Sequence, residues 1–266
     1  MYDNVDKIAT DLLEISSEQR LKIILNLLEK NSKLSELAKI VNATTQEIHR
    51  NLDRLTKAKI VQKNSDGLFC LSTYGKTVCK IFPLVNFLSQ NKVYFRNHDF
   101  GNLPDKFIVR LGSLSNGNYI KGVSIVLEKW KEIIENANEY VFGIVYEYPL
   151  ELVKPIVTKA KNGVKVNSVF YKSAIIPKGR KKLVEQLDLS DLIKEKKIDR
   201  KIIKNIPAVI MLNEKEASVN FHSLEQEIDM SSMFYSTDPK FHEWCLDYFR
   251  YCWYGSESFD EKKLNL

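Results

Sequence analysis

Apolar side chains recur every three or four residues through the amino-terminal third of the chain, the spacing of helices with one buried face. Val5, Ile8, Leu12 and Ile15 mark a leading helix over residues 1–15. Ser16 or Ser17 caps a second, which runs to about Lys30 and carries Leu21, Ile24, Leu25 and Leu28. A short helix opens at Leu34-Ser35-Glu36-Leu37-Ala38, and Val41-Asn42-Ala43-Thr44-Thr45 makes a tight turn out of it. Another helix spans Thr45 to about Lys59, with Ile48, Leu52 and Leu55 at i, i+4 and i+7. Residues 60–71 read as a two-stranded ribbon around Asn64-Ser65-Asp66-Gly67, where Asp-Gly suits a tight turn. A further helix through about Ser89 carries Val78, Ile81, Val85 and Leu88. It and the leading helix either cover the module's own core or form a dimer contact.

The pattern then changes. Residues 91–118 are rich in Asn, Gly and Pro and read as a linker between a domain at 1–90 and another at 119–266. Tyr140–Tyr146 is a dense apolar run, as in a buried strand. Leu150–Lys161 follows as a helix closed by Gly163, and Val164–Tyr171 as the next strand, so the three form a parallel βαβ unit. Ala208–Leu212 and Ala217–Phe221 flank Asn213-Glu214-Lys215-Glu216 as a hairpin. Asp238-Pro239 starts a final helix with Phe241, Trp244, Cys245, Tyr248, Phe249, Cys252 and Trp253 on its apolar side, ended by Gly255. Its polar face (Lys240, Glu243, Asp247, Arg250) is mixed in sign, which suits a core or dimer helix rather than a membrane anchor. Lys178, Arg180, Lys181 and Lys182 form a basic run, either a solvated helix start or a phosphate contact.

Composition narrows the class. At 266 residues the chain holds one small and one larger domain, and 44% apolar with 28% charged residues is ordinary for a globular protein. No apolar run approaches the ~20 residues of a membrane span, and Met1–Lys7 lacks a signal-peptide layout. A cytoplasmic location is expected. Cys70, Cys79, Cys245 and Cys252 form no C-x-x-C pair, and His98, His222 and His242 are scattered with no metal spacing. Neither metal nor cofactor is expected.

Charge and side-chain chemistry point to the helix after the turn. Thr44 and Glu47 stand at capping-box spacing. Gln46, Arg50, Asp53 and Lys57 fall opposite the apolar stripe, with His49 on a flank. Gln and Arg make bidentate bonds to adenine and guanine edges respectively. From Lys33 to Lys63 there are seven basic and three acidic residues, a net of +4, which favours nucleic acid. The unit reads as a helix-turn-helix with a wing, set to bind double-stranded DNA. Gln46, His49 and Arg50 are the candidates for bases. Thr45, Lys57 and Lys63, the last at the wing tip, are the candidates for phosphates, and Arg54 is a further candidate DNA contact. Plain helical packing, and a protein- or RNA-binding winged helix, are the competing readings.

Catalytic motifs are missing. There is no G-x-S-x-G elbow, no G-x-x-x-x-G-K loop and no G-x-G-x-x-G after Tyr146. A phospholipase-D-like hydrolase would need Lys two residues after His, but His98, His222 and His242 are followed there by Phe100, Leu224 and Trp244. Non-enzymatic function is therefore expected, with that hydrolase fused to a DNA-binding module as the alternative. Small ligands favour the carboxyl ends of parallel strands, which nominates Glu147, Tyr171 and the adjacent Lys172 as effector contacts. Arg110 is a further candidate, or else pairs with a carboxylate such as Asp99 or Asp229.

The run "LSELAKIVNATTQEIHRNLDRLTKAKIVQK" resembles the winged helix of archaeal regulators related to the arsenic-repressor type. "HDFGNLPDKFIVRLGSL" resembles the start of the middle domain of archaeal methanogenesis-regulator-like proteins, and "FHEWCLDYFRYCWYG" their carboxy-terminal helix. The resemblance covers nearly the whole chain. It implies an α+β winged helix-turn-helix followed by an α/β, phospholipase-D-like, non-catalytic domain. It also implies a homodimeric transcriptional regulator whose second domain senses an effector or mediates dimerisation. One departure is Lys59, which stands where many winged helices have Gly before the wing.

Overall fold

The computed structural model describes residues 4–147, 149–175, 177, 179–187, 189–225 and 227–260. Of the basic run, Lys178 and the side chains of Arg180 and Lys181 lie outside the described set. The chain forms two compact units, Met1–Phe82 and Pro83–Leu266, both mixing helix and sheet.

The first unit comprises α1 (Val5–Ile15), α2 (Glu18–Glu29), α3 (Leu34–Val41), α4 (Thr45–Lys57), the antiparallel ribbon β1 (Val61–Lys63) and β2 (Phe69–Leu71), and α5 (Thr73–Val78). Ile48, Leu52 and Leu55 of α4 are buried as their spacing requires, against Ile23, Ile24 and Leu27 of α2 and Leu37 and Val41 of α3. The buried side of α2 is rotated from the expected one, for Leu25 and Leu28 are each 44% exposed. α1 commits only Ile15 to the core, leaving Val5, Ile8, Leu12 and Leu13 exposed. Its carboxyl end is capped from a distance: buried Arg20 donates Nε to the Glu14 carbonyl at 2.6 Å and Nη2 to the Leu13 carbonyl at 2.7 Å.

Local signals fix the ends of α4. Glu47 N–H donates to Thr44 Oγ1, and Thr44 N–H to Glu47 Oε2, completing the expected capping box. Lys59 turns the chain into the ribbon at φ +61°, the left-handed region where a side chain is strained. Gly75 of α5 lies so close to this turn that a Cβ there would stand 2.2 Å from the Ile60 carbonyl oxygen.

The single helix expected through Ser89 is broken. α5 gives way to a 3-10 turn at Cys79–Ile81 and then to α6 (Phe82–Gln90). Pro83 explains the break, since it has no N–H to donate and its ring crowds the carbonyl four residues back. The division between units falls at this proline rather than at residue 90.

The second unit continues with β3 (His98–Asp99), α7 (Asp105–Ile108), β4 (Asn118–Lys121), α8 (Val123–Asn136), β5 (Tyr140–Glu147), α9 (Leu150–Lys161), β6 (Lys165–Ile175), α10 (Arg180–Gln186), α11 (Leu189–Lys194), β7 (Ile198–Ile203), β8 (Ala208–Leu212), β9 (Ala217–Ser223), β10 (Ser232–Ser236), α12 (Pro239–Tyr254) and β11 (Glu257–Ser258). Residues 91–118 correct the linker expectation. Tyr94, Leu103, Phe107, Leu111 and Leu114 are all in the core, and Phe107 packs edge-on to Trp244 and Tyr248. The Asn, Gly and Pro residues of this stretch turn the chain between short helical pieces, each of which sends one or two large side chains inward.

Strand order is β11-β7-β6-β5-β8-β9-β10-β4, with β3 beside β9. β5, β6 and β7 are parallel, as the βαβ pattern predicts, and β8 and β9 form the predicted hairpin. Helices cover both faces. Trp130 of α8 donates its Nε1–H to Ser218, whereas Trp244 of α12 packs on Phe221, three residues along β9 and therefore on the opposite side. Asp238 caps α12 by accepting from the N–H groups of Lys240 and Phe241. At the β8–β9 tip, buried Asn213 donates Nδ2 to the Ile133 carbonyl (2.7 Å) and to Glu216 Oε1 (3.1 Å), while its Oδ1 accepts from the N–H groups of Lys215 and Glu216. The end of α8 and the hairpin are thereby sewn together. Among the described residues no helix is long and apolar enough to cross a membrane.

Candidate functional site

The first unit holds a helix with one face in the core and the other in solvent. Thr45, Gln46, His49 and Arg50 project from the first two turns of α4, and all four are exposed. Among the described residues their side chains make no hydrogen bond or ion pair within the chain. Asn51, which shares the helix, is buried instead and donates to Gln19. Lys57 is exposed and pairs with Asp53 at 2.8 Å across one turn, a contact that water screens.

Arg54 departs from the expected role. Its guanidinium grips Glu14 of α1 through Nε–Oε2 at 3.0 Å and Nη2–Oε1 at 2.7 Å. The Arg54 hydrogen bond, working against burial and aided by the charge of Arg20, holds the Glu14 carboxyl below its usual range. Arg54 is thus a tie between α1 and α4, because a bidentate carboxylate satisfies the planar fork that a phosphate would otherwise take. Lys63 is also displaced from expectation. It ends β1, with its ammonium 5.1 Å from the centre of the Phe69 ring. The tip itself is Asn64–Gly67, where Asn64 Oδ1 accepts from Asp66 and Leu68 N–H.

In the second unit the four effector candidates separate. Arg110 is tied to Asp247 at 2.8 Å, so it pairs as the alternative reading held, though with neither Asp99 nor Asp229. Glu147 borders a narrow, mostly apolar cavity of about 60 Å³ beneath α9. Lys172 is exposed and lines neither cavity. Tyr171 stacks on Tyr146, centroids 5.5 Å apart and planes 14° from parallel, and both line an open polar cleft of about 360 Å³. Asp99, Asn102, Asn205 and His222 add its other polar side chains. These four were not legible in the sequence, for β3 reaches the site only by pairing Asp99 with His222 across β9.

Behind the cleft is a second polar cluster. Asp229 accepts from Ser231 and Ser232 hydroxyls and lies 2.9 Å from His98 Nε2. The Tyr94 ring lies flat on His98, centroids 3.7 Å apart. Burial would raise the Asp229 pKa, but the serine and histidine hydrogen bonds outweigh it and hold the value at about 2.

No family model matches the chain. No curated protein sequence matches it significantly. Solved structures do align. TrmBL2, an archaeal chromatin protein, is 12% identical over 94% of this chain and 98% of its own, with a TM-score of 0.44. NucT from Helicobacter pylori is 14% identical over 54% of this chain and 98% of its own (TM-score 0.42). The phospholipase D family member Nuc from Salmonella typhimurium is 14% identical over 55% and 99% (TM-score 0.38). These are loose likenesses, and the reading of the site rests on the chain's own geometry.

Proposed function

We propose that this chain is a DNA-binding transcriptional regulator without catalytic activity, in which α4 enters the major groove and the ribbon β1–β2 lies against the backbone. One observation carries the reading. A capped helix after a tight turn buries one stripe completely, while Gln46, His49 and Arg50 stand on its outer face, exposed and uncommitted. Groove recognition needs such side chains near the amino end of the second helix. Thr45, Lys57 and Lys63 are the proposed phosphate contacts, and the basic excess of the segment supports salt-dependent affinity. Arg54 is left out of the set because Glu14 holds it.

A homodimer fits this reading, since two-fold operators match two-fold proteins. The exposed apolar residues of α1 are the proposed contact. The second unit is read as the sensing domain. Selection of bound sequences from a random duplex library with the full chain tests the proposal. An enriched site whose binding Arg50→Ala weakens, at a cost of ~1–3 kcal/mol and with relaxed preference at one base pair, is the expected outcome. Failure to enrich any site, or equal binding by Arg50→Ala, rejects it.

A further inference from the structure

We propose that the cleft between β3, β5, β6 and the segment leading into β8 binds a small organic cation bearing N–H groups, of the amine or amidinium class. The cleft lies at the carboxyl ends of the parallel strands, where open α/β sheets take their ligands. Its volume of about 360 Å³ falls within the range of small-molecule sites.

The sign of the ligand follows from the wall. Asp99 contributes a carboxylate with no cationic partner among the described residues. Its Oδ1 accepts from Gly101 N–H at 2.8 Å, which fixes the group at the rim. Among the described residues no Lys or Arg lines the cleft. His222 cannot serve an anion through Nε2, because that nitrogen donates to the Ile206 carbonyl. In that tautomer the buried Nδ1 is an acceptor, and it has no partner among the described residues. The near-parallel rings of Tyr146 and Tyr171 supply π surface, which attracts cations. Burial, then the charges of Glu227, Tyr171 and Glu147, push the Tyr146 hydroxyl upward, in keeping with a locally negative field. The amide oxygens of Asn102 and Asn205 offer further acceptors for N–H groups.

This inference deepens the sensing role proposed above and rests on that reading only for its regulatory meaning. Calorimetric titration of the full chain with agmatine and with spermidine tests it, with glycerol and citrate as neutral and anionic controls. Saturable binding of either cation is expected, and none of the controls. Asp99→Asn and Tyr171→Leu should each weaken binding about tenfold. Asn205→Ala alters an exposed residue and reports on the cleft even if Tyr171→Leu misfolds. Absence of cation binding by the wild-type chain, unchanged affinity in both Asp99→Asn and Asn205→Ala, or preference for citrate overturns the proposal. A parallel DNA titration keeps the two readings apart: cation binding without DNA binding rejects only the regulator, and the reverse rejects only the cleft.

Discussion

Arg54 and Glu14, forty residues apart, are joined by two parallel hydrogen bonds that lock the guanidinium of α4 onto the end of α1. Position on a basic helix therefore does not make a cation a DNA contact. Arg54→Ala is expected to lower the melting temperature of the first unit while leaving the salt dependence of DNA binding unchanged. Lys57→Ala should do the opposite, lowering the slope of log K against log salt by about 1 with little effect on melting. Melting curves and binding isotherms at several salt concentrations check both variants.

Asp229 makes the second unit acid-sensitive. Its folded pKa of about 2 lies below the ordinary ~3.9 of an unfolded aspartate. A depressed carboxyl stabilises the fold above its unfolded value and loses that contribution as pH falls toward the folded one. The loss should therefore fall between about pH 4 and pH 2 and amount to about 2.5 kcal/mol. Urea denaturation across that range should show a shallower pH slope for Asp229→Asn than for the wild type. Equal slopes would mean that Asp229 is not the group responsible.

Lys59 sits at φ +61° in the turn before the ribbon. Glycine adopts that conformation without strain, although it surrenders more entropy on folding. Lys59→Gly is expected to stabilise the first unit by about 0.5–1 kcal/mol, and Lys59→Val to destabilise it. Chemical denaturation of the two variants measures the difference, and a destabilised Lys59→Gly would refute the strain argument.

The open face of α1 bears on assembly. Val5, Ile8, Leu12 and Leu13 are 62, 42, 48 and 64% exposed. If a second copy covers them, Leu12→Glu should halve the mass seen in sedimentation equilibrium without unfolding the chain. A variant that keeps the wild-type mass places any interface elsewhere.

What could be read in advance was local. The Thr44–Glu47 box, the Asn213–Glu216 hairpin and the Asp238-Pro239 start of α12 each depend on residues within a few positions of one another, and each appears in the structure. The run 91–118 misled because its core side chains are spaced by turns rather than by any regular period. α2 misled because both its sides carry leucine, and only the neighbours choose between them. Tyr171 could be nominated for the cleft from its place at a strand end. Asp99 and His222 meet across β3 and β9, 123 positions apart in the chain, and nothing in their own surroundings announces it. The same is true of Arg20 and Arg54, whose partners are set by packing.

The Asn213 knot has a consequence for how this molecule tolerates change. Every polar atom of that amide is spoken for, two of its bonds by the turn's own backbone, one by the Glu216 carboxylate and one by the Ile133 carbonyl in the last turn of α8. Lengthening the β8–β9 loop by even one residue would unpick a helix terminus lying eighty positions earlier. The Ser65–Gly67 tip of the ribbon is exposed and, among the described residues, anchored only through Asn64. A peptide tag or fluorophore grafted into the chain should be accepted at that ribbon and refused at the hairpin.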